Sequence, residues 1–134
     1  MNWLFASKKV HSNLANPCES CEEKLHHADL YLKFWFLNHV KRKWPNAHIS
    51  WAYRGRVDQE LAFTENKSQL HFPDSPHNKK PAKALDLFQI DGNGKGIWDI
   101  DFFGDIDKYN VTNNITLKWG GNFESFKDYC HFEL

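Results

Sequence analysis

The chain has 134 residues, enough for one domain with its own hydrophobic core and no need of disulfide staples. Hydrophobic residues make up 41% and aromatic ones 16%, a composition that excludes a disordered chain. Seventeen basic residues balance seventeen acidic ones, so nothing in the overall charge favours nucleic acid or an anionic membrane surface.

The opening, Met1 to Val10, has only the short apolar stretch Trp3-Leu4-Phe5-Ala6 before Lys8-Lys9. It lacks the pattern of a secretory signal, which predicts cytoplasmic synthesis. No run approaches the roughly 18 consecutive apolar residues of a membrane-spanning helix, so no membrane insertion is expected. Three cysteines, with Cys18 and Cys21 close together, predict reduced thiols.

Residues 1–28, punctuated by Asn16-Pro17 and Cys18-Glu19-Ser20-Cys21, read as an arm or short helix covering the domain proper at 29–134. Asp29 is a suitable N-cap for a helix whose apolar face is taken as Leu30, Phe34, Leu37 and Lys41, with Tyr31 and Trp35 alongside, ending at Trp44-Pro45-Asn46. Residues 47–53 alternate as a half-buried strand, and Arg54-Gly55-Arg56 turns it into a helix carrying Val57, Leu61 and Phe63. Residues 64–83 form a long polar loop with three prolines, a length that in a small domain is usually functional or disordered.

Ala84 to Ile90 is the most strand-like run, closed by the turn Asp91-Gly92-Asn93-Gly94 and answered by Ile97-Trp98. The spacing of Ile100, Phe103 and Ile106 predicts a helix over 99–109; strands are predicted at 115–119 and 131–134, separated by Gly120-Gly121. The mixture predicts an α+β domain, a small antiparallel sheet flanked by helices.

Within the run 84–90, Asp86 shares a strand face with Phe88 and Ile90. Burying a lone carboxylate there costs several kcal/mol unless a cation meets it. A metal is one such cation; the alternative is a solvated or arginine-paired residue at a sheet end. His77 in the preceding loop and His131 near the C-terminus complete a candidate set, since two histidines and a carboxylate are usual protein ligands of a catalytic zinc that keeps one position for water. Asp128, three residues before His131, is a candidate acceptor for that water's proton.

The wording around these residues is more specific than the residues alone. Ser75-Pro76-His77, Ala84-Leu85-Asp86 and Trp119-Gly120-Gly121 leading to Asp128-Tyr129-Cys130-His131-Phe132-Glu133 occur in order, with Tyr53-Arg54 and Gln59 upstream. Over residues 47–134 this resembles the family of D-alanyl-D-alanine carboxypeptidases and phage L-alanyl-D-glutamate endolysins. The resemblance implies the zinc D-Ala-D-Ala peptidase fold, with Zn²⁺ on His77, Asp86 and His131. It further implies Asp128 as general base, Arg54 as catalytic and substrate-steadying donor, and Ser75 supporting the substrate or a ligand.

One departure is that His77 and Asp86 enclose eight residues, a longer loop than the family's usual one, with Lys79-Lys80-Pro81 in place of a glycine. The implied substrate is the peptidoglycan stem peptide, cut by a monomeric endolysin-type endopeptidase that reaches the wall after release. A D,D-carboxypeptidase or dipeptidase, and a non-catalytic wall- or protein-binding module of the same fold, are the alternatives.

Two other motifs receive simpler readings. Cys18-x-x-Cys21 followed by His26-His27 resembles half of a structural zinc site, but a helix start with free thiols is preferred. Asp91-Gly92-Asn93-Gly94-Lys95 begins like a calcium loop, yet Lys95 stands where an acid is wanted, so it reads as a turn.

Overall fold

In the computed structural model, which describes residues 18–134, the most strand-like run of the sequence is also the centre of the sheet. Strand β2 (Ala84–Ile90) lies between β1 (Ala47–Trp51) and β5 (His131–Glu133), with β4 (Lys118–Trp119) beyond β5. The short β3 (Gly96–Ile97) folds back onto the end of β2 through the expected turn, pairing Ile97 with Gln89. Every pairing between these strands is antiparallel.

Helices cover this sheet. α1 (Glu19–Leu25) starts at Cys18, whose sulfur accepts the Cys21 N–H at 3.2 Å. Cys18, Cys21, Leu25 and Ala28 belong to the same core as Leu85, Leu87 and Phe132, and Asp29 N–H donates to the Ala82 carbonyl at 2.9 Å. Residues 18–28 thus share their packing with the rest of the chain; residues 1–17 lie outside the described part.

α2 (Leu30–Trp35) runs through a π turn (Phe36–Val40) into the short α3 (Lys41–Lys43), with Asp29 capping as expected. Its buried face corrects the sequence reading. Leu32, Trp35, Phe36 and Val40 are fully buried, whereas Leu30 is 80% and Phe34 55% exposed. Both faces carry large apolar residues, and the wider π turn lets the neighbours Trp35 and Phe36 both point inward. Lys41 is buried as expected, but as a cation whose Nζ donates to the Ala47 carbonyl.

α4 (Arg56–Thr64) also departs from expectation, since Val57 and Leu61 are exposed and the buried positions are Gln59 and Ala62. A polar anchor replaces an apolar face: Gln59 Nε2 donates to the Leu70 carbonyl at 2.7 Å. α5 (Ile100–Thr112), capped by Asp99, is longer than predicted and is tied to α2 by Trp35 Nε1 donating to Asn110 Oδ1. The strand predicted at 115–119 shrinks to two residues, because Ile115 N–H is spent on the Asn110 carbonyl as the chain leaves α5. Among the described residues no helix is long and apolar enough to cross a membrane.

Candidate metal centre

The pairing of β2 with β5 sets Asp86 directly opposite His131, and opposed residues of an antiparallel pair project from the same face as near neighbours. His77 reaches the same point from the long loop. There a 3-10 turn (Pro76–Asn78) is capped by Ser75, whose hydroxyl accepts the His77 N–H at 3.1 Å. Arg54 N–H donates to the His77 carbonyl, and Lys83 N–H to that of Pro76. Four hydrogen-bonding groups thus fix the turn that carries His77, despite the length of the loop: the Ser75 hydroxyl, the Arg54 and Lys83 N–H groups and the His77 N–H.

Three atoms converge. His77 Nε2 is 3.0 Å from Asp86 Oδ1 and 3.2 Å from His131 Nδ1, and His131 Nδ1 is 3.1 Å from Asp86 Oδ1. The remote ring nitrogens are already committed. His77 Nδ1 lies 2.8 Å from the Ala52 carbonyl, which can only accept, and His131 Nε2 lies 2.7 Å from Glu133 Oε1. These outward contacts leave the other nitrogen of each imidazole facing the shared point, the orientation seen in metal-ligating histidines.

A tetrahedral ion with ligand distances of about 2.0–2.1 Å separates its donors by about 3.3 Å, so this triangle fits a divalent cation with little adjustment. His77, Asp86 and His131 are 2%, 5% and 4% exposed, and together they form a group that could hold a metal ion.

The surrounding charges follow the same logic. Burial works to raise the Asp86 carboxyl, but the His77 and His131 imidazoles outweigh it and hold it well below the usual carboxylate range. Burial likewise disfavours protonated His131, yet the hydrogen bonds to Asp86 and Glu133 overcome it and push the imidazole up to about 10. Burial, then the charge of Asp86, pushes the Asp128 carboxyl up.

Each residue singled out in the sequence can be located. Asp128 lies beside the triad, Oδ2 being 3.8 Å from His131 Nδ1. Arg54 is buried, with Nη2 3.2 Å from Asp86 Oδ2 and Nη1 3.1 Å from Gln59 Oε1. Asp86 is therefore arginine-paired, though on the central strand and buried rather than at a sheet end, and it also meets the two histidines. Ser75 acts on the turn of His77 through its hydroxyl.

Sequence reasoning assigned no role to Asn78 or Glu133. Asn78 Nδ2 donates to the Arg54 carbonyl and to Gln59 Oε1, while its Oδ1 accepts the Ser75 N–H. Two hollows meet at the triad. One of about 630 Å³ is lined by Trp51, Asp58, Asp86 and Tyr129, the other of about 220 Å³ by Leu70, Ser75, His77 and Phe123. Arg54, Lys67, Phe126 and Asp128 line both.

The half-site read from Cys18 and Cys21 is corrected in its partner. His26 and His27 are exposed, and the histidine that meets the two sulfurs is His48.

No protein-family model matches the sequence, and no curated protein matches it. Among solved structures, the chain is similar to the L-Ala D-Glu endopeptidase ChiX of Serratia marcescens, with a TM-score of 0.66 over 98% of this chain and 95% of that one, at 20% sequence identity. The α+β fold expected from the sequence, an antiparallel sheet flanked by helices, is therefore the fold of that endopeptidase.

Proposed function

We propose that this protein is a zinc-dependent endopeptidase that cuts the peptide part of bacterial peptidoglycan. The observation that carries the reading is the convergence of His77 Nε2, Asp86 Oδ1 and His131 Nδ1 at 3.0–3.2 Å, on a fold shared with an L-Ala D-Glu endopeptidase. Zn²⁺ held by these donors would supply Lewis acidity and a fourth position at which water becomes acidic near neutral pH.

Asp128 is then the general base, accepting a proton at its carboxylate and returning it to the departing amine nitrogen. What supports this role is its place beside the triad, together with a carboxyl pushed above its ordinary value. Arg54 orients Asp86 and leaves its remaining donors for charge developing on the scissile carbonyl. Ser75 keeps His77 in position through the turn.

Two hollows meeting at the triad leave room for peptide on more than one side of the scissile bond, which suits an internal bond. Digesting purified cell wall and identifying the new termini by mass spectrometry tests the reading. New amino ends within the stem peptide are expected, abolished by a chelator and restored by zinc. Release of terminal D-alanine alone would establish the carboxypeptidase instead, and an inert protein with no zinc at His77, Asp86 and His131 would point to the non-catalytic module of the same fold.

A further inference from the structure

A second set of ligand-type atoms lies outside the centre just described. Cys18 Sγ is 3.3 Å and Cys21 Sγ 3.5 Å from His48 Nδ1, and the three donor atoms all lie within 4.8 Å of one another. Zn–S distances of about 2.3 Å and Zn–N distances of about 2.0 Å, at a tetrahedral angle, place sulfur and nitrogen about 3.5 Å apart. The observed spacings match.

The sulfurs are set as acceptors. Cys21 N–H donates to Cys18 Sγ at 3.2 Å and Ile49 N–H to Cys21 Sγ at 3.3 Å, bonds that favour sulfur carrying negative charge. Burial is 1%, 0% and 0% exposure for Cys18, Cys21 and His48, which excludes the partly exposed setting of a thiol-exchange cysteine pair. Two thiolates and a neutral imidazole around a dication bury no net charge.

We propose that Cys18, Cys21 and His48 bind a second zinc ion, a structural one, which rivets helix α1 to the edge strand β1. Sulfur and imidazole donors select a borderline-soft cation over magnesium or calcium. Its position explains its use. β1 is the end strand of the sheet order, and edge strands need covering; the ion fastens α1 there through His48 and the neighbouring Ile49 N–H. The remaining coordination position of a closed site falls to a donor beyond these three.

The test uses the full chain produced with zinc and counts metal independently of activity. About two zinc ions per chain are expected in the unaltered protein and about one in His77→Ala. The cobalt form of His77→Ala should keep intense thiolate-to-cobalt charge-transfer absorption in the near ultraviolet. The pair Cys18→Ser and Cys21→Ser should remove that absorption and one ion. Should the serine variant fail to fold, the His77→Ala spectrum decides alone. A folded His77→Ala protein whose cobalt form lacks the thiolate band, or which holds no zinc, overturns the proposal. Failure of the catalytic centre reads differently: the unaltered protein would then hold about one zinc, unchanged by His77→Ala.

Discussion

Arg54 Nη2 stands 3.2 Å from Asp86 Oδ2, the carboxylate oxygen that neither imidazole touches. Partners of this kind fix a ligand's orientation, and losing one typically costs about 10- to 100-fold in metal affinity. Arg54→Ala is therefore expected to weaken zinc binding by about that factor, with Arg54→Lys recovering part of it as an undirected charge. Competition against a chelator measures it. Unchanged affinity with an altered KM would mean that Arg54 serves the substrate alone.

Asp128→Asn separates chemistry from metal binding. The substitution preserves shape but cannot take a proton, so kcat should fall by about 10² to 10⁴ while zinc content stays the same. Full activity in this variant would remove Asp128 from the mechanism.

The metal-free protein should have a pH dependence set by His131. Its folded pKa of about 10 lies above the unfolded value of about 6.5. The proton it binds thus contributes stability that is complete below pH 6.5 and disappears as pH rises to about 10. Denaturant titrations of the metal-free chain should show declining stability across that window, and His131→Gln should flatten the slope. Because zinc displaces this proton, its apparent affinity should climb by up to about tenfold per pH unit over the same range.

Gly120 allows a close backbone pass. A Cβ there would run into the Asp128 carbonyl, while Asp128 N–H donates to the Gly120 carbonyl at 3.0 Å. Gly120→Ala must push the segment bearing Asp128 outward, so activity should drop at least about tenfold, the scale of a displaced catalytic group. Zinc should still bind, which equilibrium metal analysis of the purified variant would show.

Asn78→Ala tests the support of His77. It strands the Ser75 N–H and the Arg54 carbonyl, both bonded to this side chain, and each orphaned buried group costs about 1–3 kcal/mol. A lower denaturation midpoint is expected even without metal; unchanged stability would mean that water takes over both bonds.

What could be read from the chain and what could not divides along physical lines. The strand Ala84–Ile90 was legible because its apolar run is long, and Asp86 stood out because a carboxylate inside such a run needs a partner. The face of the helix beginning at Leu30 was misjudged because Leu30 and Phe34 satisfy helical spacing as well as Leu32, Trp35 and Val40 do; only the sheet decides which side is covered. His48 could not be matched to Cys18 and Cys21, since a ligand on a distant strand leaves no local spacing, while His26-His27 supplied a misleading one. Gln59, Asn78 and Glu133 act through hydrogen bonds that exist only once the loop, helix and strand have met.

Asp86 and His131 face each other across β2 and β5 in a single alignment. A slip of one residue would send one of them through the sheet to its opposite side, leaving two donors where three are needed. If this centre takes up zinc as proposed, its loading is a gauge of correct strand alignment: misaligned chains should hold one ion fewer than native ones, before any substrate is offered.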